Sequence, residues 1–408
     1  MQSRPEMLAQ VLNRERRSGS KAWITVFSML AVLGTIAFLV GIFGSQGQRA
    51  WQAYLVNFVF WSGLAFGTVL FSAMLTMTNA RWGRPLKRLA EAPVAFLPVA
   101  FLLFWVLLWG REQLFPWIRE PVAHKKLWLN SGFLFARDGA SLLLLTLVSL
   151  ALVYHSVKRD MRYLGAGEGM GPREGTAKEE GRDPQVILSP ILGILYAMVL
   201  SLIGFDLVMS LSPRWHSTLF GAYYFVGSFY SALAALAVLS YLSVRKMGLE
   251  DFIQPNHFHD LGKLLLAFCV VTGDFFYSQF LVIWFGNLPN ETRYVLLRVR
   301  ESPWDFFAWA VLCICFAMPF VVLLSRKVKM KPVLMMMLGI TILGGMWLER
   351  FLLIVPSIWK ESSVPLGLIE LLITAGFFGI VGLCVLFFLQ RFPVLPIGDP
   401  LFRESLRG

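Results

Sequence analysis

The chain has 408 residues, 57% of them hydrophobic and 15% charged, with a mean hydropathy of +0.64. That balance is too apolar for a water-soluble domain and places the chain among polytopic membrane proteins. The net charge of +12 does not point to nucleic acid, because Lys and Arg lie in short connections between apolar runs, where they act as topology signals.

The first 22 residues are polar and basic, with no short apolar region ahead of a small-residue cleavage site. They read as a cytoplasmic tail and not as a removed signal peptide. Ten apolar runs follow, each long enough to cross about 30 Å of hydrocarbon as a helix. They cover Trp23 to Phe43, Ala53 to Met77, Pro93 to Gly110, Phe133 to His155, Leu188 to Ser210, Leu219 to Leu242, Leu261 to Phe285, Phe306 to Leu324, Val333 to Leu353 and Leu366 to Leu389. The expected fold is all-α and polytopic, and the continuous, non-alternating runs exclude a transmembrane β-barrel. The chain divides into a tail (1–22), helices one to four (23–155), a linker (156–187), helices five to ten (188–390) and a second tail (391–408).

With the N-terminus inside, the cytoplasmic segments carry 24 Lys and Arg residues and the outer loops carry 10. Both termini are therefore expected in the cytoplasm, as for a multi-pass protein of the bacterial inner membrane. The linker contains GAGEGMG at Gly165 to Gly171, but no strand precedes it and no βαβ unit surrounds it, so it reads as flexible chain and not a dinucleotide loop. ARWGRPLKRL, Ala80 to Leu89, is similar to the basic loop of major-facilitator transporters. Asn79 and Ala80 stand where the acidic residue of that motif belongs, so it reads as a positive-inside anchor.

A shift of 143 residues lays Asp206 on Glu349 and Pro213 on Pro356, and FGTVLF at Phe66 is matched by FGAYYF at Phe220. These correspondences indicate two four-helix bundles, helices two to five and six to nine, with the first and last helices peripheral.

Ionisable groups inside apolar segments are costly and mark function by default. Arg137 and Asp138 fall in the outer third of helix four, Asp206 near the outer end of helix five, Glu349 and Arg350 at similar depth in helix nine, and Glu370 at the start of helix ten. On helix seven, His259, Lys263, Asp274, Tyr277 and Ser278 share one stripe at 100° per residue, the arrangement an inner proton half-path would need, with water between Lys263 and Asp274. The plainer reading makes the outer groups buried ion pairs that fix helix packing, with Lys263 snorkelling inward and Asp274 hydrogen-bonded to a neighbouring helix.

No two histidines sit at matching membrane depth, which argues against haem. Cys269, Cys313, Cys315 and Cys384 lie in apolar segments without C-x-x-C spacing and read as packing residues. No metal or covalently held cofactor is expected.

FDLVMSLSPRWHSTLFGAYYF (Phe205 to Phe225) resembles the segment joining two helices in the NrfD-like membrane subunits of alternative complex III. FGNLPNETRYVLLRVR (Phe285 to Arg300) is similar to the outer loop of the ActF-like subunits of that complex, and TNARWGRPLKRLAE, KKLWLNSGFLFARD and WLERFLLIVPS fit the same pattern. The matches span about Trp51 to Ser357.

The resemblance implies a ten-helix subunit assembled with an iron–sulfur protein, multihaem c-type cytochrome subunits, a sister NrfD-like subunit and, in some assemblies, a terminal oxidase. Such a complex oxidises quinol, menaquinol or ubiquinol, near the outer face and passes electrons to cytochrome c or another acceptor. The chain would be a non-haem subunit, not catalytic alone. Carried over by position, Asp206, Glu349 and Asp274 would handle protons, with Arg137, Asp138 and Arg350 as their partners. Quinol oxidation commonly uses a His or carboxylate to take the hydroxyl proton. This chain has no intramembrane His, which leaves a place for the quinone site in the sister subunit. An NrfD-type anchor of another iron–sulfur oxidoreductase and a proton-coupled transporter are the alternatives.

Overall fold

The computed structural model describes residues 20–122, 125–165, 183–361 and 363–405. The start of the N-terminal tail, His124, all of GAGEGMG after Gly165, and residues 406–408 lie outside them. The described chain is all-helical, and ten of its helices are long and apolar enough to span a membrane. We number these α1 Ser20–Phe43, α2 Gly47–Met77, α3 Arg84–Val106, α4 Ser131–Gly165, α5 Pro184–Leu211, α6 Phe220–Met247, α7 Pro255–Gly286, α8 Trp304–Leu324, α9 Pro332–Ile358 and α10 Leu368–Arg391.

Several helices outrun the apolar stretches that announce them. α4 continues ten residues past His155, and α3 begins at Arg84, nine residues before Pro93. Hydropathy registers only the part that must be apolar, whereas backbone hydrogen bonding carries on wherever nothing breaks it.

Two four-helix units follow one contact pattern. In the first, α2 packs on α5, α5 on α4, α4 on α3 and α3 on α2; in the second, α6 packs on α9, α9 on α8, α8 on α7 and α7 on α6. α2 and α6 form the seam between the units, which is why 83% of the central window of α2 is buried, against 17% for α7 and α8. Small residues set that seam: a Cβ placed on Gly63 would stand 2.6 Å from Ser228 Oγ, and one on Gly67 would stand 2.7 Å from the Ala232 methyl. In a membrane, where apolar side chains gain little from leaving lipid, such close backbone approach is the main source of helix association.

α1 and α10 lie outside both units and pack tightly on each other, with α10 also on α2 and on Ala92–Phe96 in the middle of α3. Their crossing runs through Gly34 and Gly376, where a Cβ on Gly34 would fall 2.3 Å from Gly376 Cα. The ends of the bundle differ. Both α1 begins and α10 finishes at one, here called the tail end; the opposite, cap end carries the long connection between α3 and α4 and the surface helix Pro289–Val299.

Candidate functional site

Asp206 sits in a π-helical turn, Gly204–Val208, that interrupts α5 one turn before its cap end. Such a turn holds one extra residue per helical circuit and is concentrated at functional positions. Gly204 opens it, lying so close to Tyr224 of α6 that a Cβ there would be 3.0 Å from the tyrosine's own Cβ. Asp206 is fully buried. Its Oδ2 accepts from Arg137 Nε at 2.6 Å and its Oδ1 from Trp128 Nε1 at 2.9 Å. Arg137 also donates to the Trp128 carbonyl at 3.0 Å and stacks over the Trp128 and Phe133 rings at 4.0 and 4.7 Å.

The carboxyl of Asp138, also fully buried, faces that of Asp206. Neither of its oxygens has a hydrogen-bond donor among the described residues, and Arg137 Nη2 is likewise without an acceptor. Two buried carboxyl groups thus lie beside one guanidinium, which is bonded to Asp206 alone of the two. Like charges so placed repel, and one guanidinium does not neutralise both.

The connection after Asp206 is pinned from below: Lys125 Nζ donates to the Pro213 carbonyl at 2.8 Å, and Trp117 Nε1 to Ser210 Oγ at 3.3 Å. Partial burial pushes the Lys125 ammonium below the usual lysine range.

Glu349 occupies the equivalent place in the second unit with different partners. α9 is regular there, and the cation is the next residue, Arg350, whose Nη1 lies 3.0 Å from Glu349 Oε2. Arg350 Nη2 reaches the Tyr224 carbonyl at 3.2 Å and Ser228 Oγ at 3.3 Å, and its guanidinium lies 4.3 Å from the centre of the Tyr224 ring. The hydroxyl of Tyr223 faces Glu349. Among the described residues no hydrogen bond joins Asp206 to Glu349. They occupy two sites that meet at Tyr224, which packs on Gly204 of the first and carries Arg350 of the second.

The other expected residues go elsewhere. Glu370 pairs with Arg49 of α2 through two hydrogen bonds of 2.7 and 2.8 Å and accepts from the Gly367 amide, so it fastens α10 to α2 and takes no part in either acid site. The helix-seven stripe faces outward: Lys263, Asp274 and Tyr277 are exposed and Ser278 and His259 half-buried. Lys263 is bound to Asp260 at 2.9 Å, and Asp260 lies 3.6 Å from His259 Nδ1. The expected water-bridged path from Lys263 to Asp274 therefore does not run inside this chain's bundle.

The tail end holds a cluster not foreseen from the sequence. Arg84, Lys87, Arg88 and Glu91 of α3 are buried, not displayed as a topology anchor. Arg88 bridges Glu91 and Asp160 of α4. Asp399, from the chain after α10, accepts from Arg84 Nη1 at 2.8 Å and Arg159 Nη2 at 3.0 Å and lies 3.4 Å from Lys87 Nζ. Burial alone would raise the Asp399 carboxyl, but Lys87, Arg159 and Arg84 outweigh it and hold the group below the ordinary carboxylate value. The spacing Arg84-x-x-Lys87-Arg88-x-x-Glu91 puts these four groups within two turns of helix, a signal for pairing and not only for positive charge.

No family model matches this chain, and no curated protein matches it. Among the described residues no group of His, Cys, Asp and Glu is arranged to hold a metal ion.

Proposed function

We propose that this protein is a proton-handling integral membrane subunit of a quinol-oxidising electron-transfer complex of the alternative complex III type, NrfD- and ActF-like, in a bacterial inner membrane. The observation that carries the reading is the site at Asp206: two buried carboxyl groups, one guanidinium and a π-turn within an otherwise apolar helix. With two carboxyl groups and one guanidinium, such a site is neutral when it holds one proton and carries a single negative charge once that proton has left, the pattern a proton-exchanging site needs. The motif resemblance supplies the electron-transfer context.

In that role quinol gives its electrons to the redox centres of partner subunits, an iron–sulfur protein and multihaem cytochromes, and its protons to carboxylates near the oxidation site. Asp206 with Asp138, and Glu349 with Tyr223, are the groups of this chain suited to receive them. Arg137 and Arg350 hold their acids in place and set how readily a proton is bound. The quinone lies at the boundary with a sister subunit, and this chain binds no metal.

The orientation keeps both termini cytoplasmic. Four of the 24 basic residues on that side, Arg84, Lys87, Arg88 and Arg159, are spent on the tail-end ion cluster, and the 20 that remain still outnumber the 10 on the other side.

Purification of the native complex tests the assignment. Copurification of this chain with haem absorbance and quinol-dependent reduction of cytochrome c supports it. Proton-coupled solute uptake by the purified chain alone in vesicles would replace it with a transporter.

A further inference from the structure

The outward stripe of α7 has a feature that lipid alone does not accommodate. Asp274 lies 19 residues from the start of a 32-residue helix, about 28 Å from one end and 18 Å from the other at a rise of roughly 1.5 Å per residue. It is exposed, and neither a hydrogen bond nor an ion pair reaches its carboxylate within the described chain. Carboxylates at such depth face a protein interior or a water-filled cavity and are paired there, because hydrocarbon offers an acceptor nothing in return.

The surroundings suit a close-packed helix. Ala267, Val270 and Val271 leave a shallow track between Lys263 and Asp274, and Tyr277 follows one turn beyond; all are exposed. Short side chains permit near backbone approach, the usual geometry of helix association in membranes. Helices α7 and α8 are also among the least covered of the ten.

We propose that this face of α7 is a transmembrane interface, and that its occupant is a helix of a different polypeptide presenting Arg or Lys opposite Asp274. Charge decides against a second copy of this chain. A two-fold contact through the face would set Asp274 against its own counterpart, two like charges in a low-dielectric site, and Lys263 lies three turns away and is already paired with Asp260. The inference rests on the membrane-spanning fold and not on the electron-transfer reading, so either can fail without the other.

The test is site-specific photocrosslinking in the native membrane. A photoreactive amino acid replaces Val271 in the full-length chain, and a second exposed position on another helix, Val40 of α1, serves as control. The adduct at position 271 should be with a distinct polypeptide, its crosslinked peptide mapping to a membrane span that contains Arg or Lys at the depth of Asp274. Adding Asp274→Lys should lower that adduct at least tenfold, whereas Asp274→Glu should retain it. Because the wild-type Asp274 chain is crosslinked first, a variant that fails to assemble does not remove the test. Adducts with lipid only, with a second copy of this chain, or with a span lacking any basic residue would each overturn the proposal, as would an adduct indifferent to Asp274→Lys in a folded protein.

Discussion

Ser212 and Ser357 are joined by a hydrogen bond of 2.9 Å between their hydroxyls, and each adjoins the proline that closes one of the two acid-to-proline segments. The matching ends of the two units are thus fastened to each other. Arg298, from the surface helix Pro289–Val299, completes the fastening: its Nη2 donates to Ser357 Oγ at 2.6 Å and to the Leu353 carbonyl at 2.9 Å, and its Nε to the Leu352 carbonyl at 3.0 Å. Leu352 is four residues before Pro356, so its carbonyl lacks the backbone donor a regular helix would supply. A buried guanidinium stands in for the missing amide, held at 3.6 Å over the Tyr294 ring, which stacks in turn on Trp215 at 3.7 Å.

Arg298→Ala should therefore destabilise the cap end by on the order of 3 kcal/mol, since it leaves buried carbonyls unpaired. Pro356→Ala restores a backbone donor to Leu352 and should recover part of that loss. Thermal unfolding of the single and double variants in detergent measures the coupling. Strictly additive effects would mean that Arg298 does not replace the missing amide.

At the α1–α10 crossing, Gly376→Leu should separate the two helices, because no side chain fits between Gly34 and Gly376 without moving backbone. Protease sensitivity of α1 should rise while the eight-helix centre keeps its unfolding transition. Unchanged protection of α1 would show that the helices can slide to accept the bulk.

Asp399 clamps the chain after α10 onto three cations. Its carboxyl is held below the ordinary value, so its contribution is complete above an unfolded value near 3.9 and disappears as pH falls through the lower folded value. The C-terminal segment should remain protected from protease from about pH 8 to about pH 5 and be released only below about pH 4. Asp399→Asn should release it at neutral pH, with a loss of about 3 kcal/mol, since the buried Arg84 and Lys87 and the half-buried Arg159 would lose a shared partner. Protection of that segment in Asp399→Asn at pH 7 would refute the clamp.

Much of this architecture can be read in the sequence, and the reasons are physical. Ten spans follow from apolar length, and the pairing of Asp206 with Glu349 at an offset of 143 residues locates the acids that the fold buries at equivalent places. What periodicity does not carry is the neighbour. Asp206 takes its cation from Arg137 on α4 and Glu349 from Arg350 on its own helix. The residue after the acid differs, Leu207 in α5 and Arg350 in α9, and α9 has no π-turn at its acid. Helical spacing likewise put Lys263 and Asp274 on one face of α7 but could not tell inward from outward, because long apolar side chains surround that helix on every side. The tail-end cluster was hidden for another reason. Its keystone, Asp399, lies 312 residues beyond Lys87 in a short tail, and counting basic residues for topology treats every one as free.

Asp206 and Glu349 are proposed to move protons and not merely to hold helices together. The most direct measurement is proton release per quinol oxidised by the purified complex in vesicles, for the wild type and for Asp206→Asn and Glu349→Gln. Each substitution keeps the size and hydrogen-bonding reach of its side chain but removes the titrating group. The complex should assemble in both variants, with coupled proton release or turnover reduced about tenfold or more. Normal turnover and normal proton stoichiometry in both variants would contradict that role and leave the two acids as packing residues.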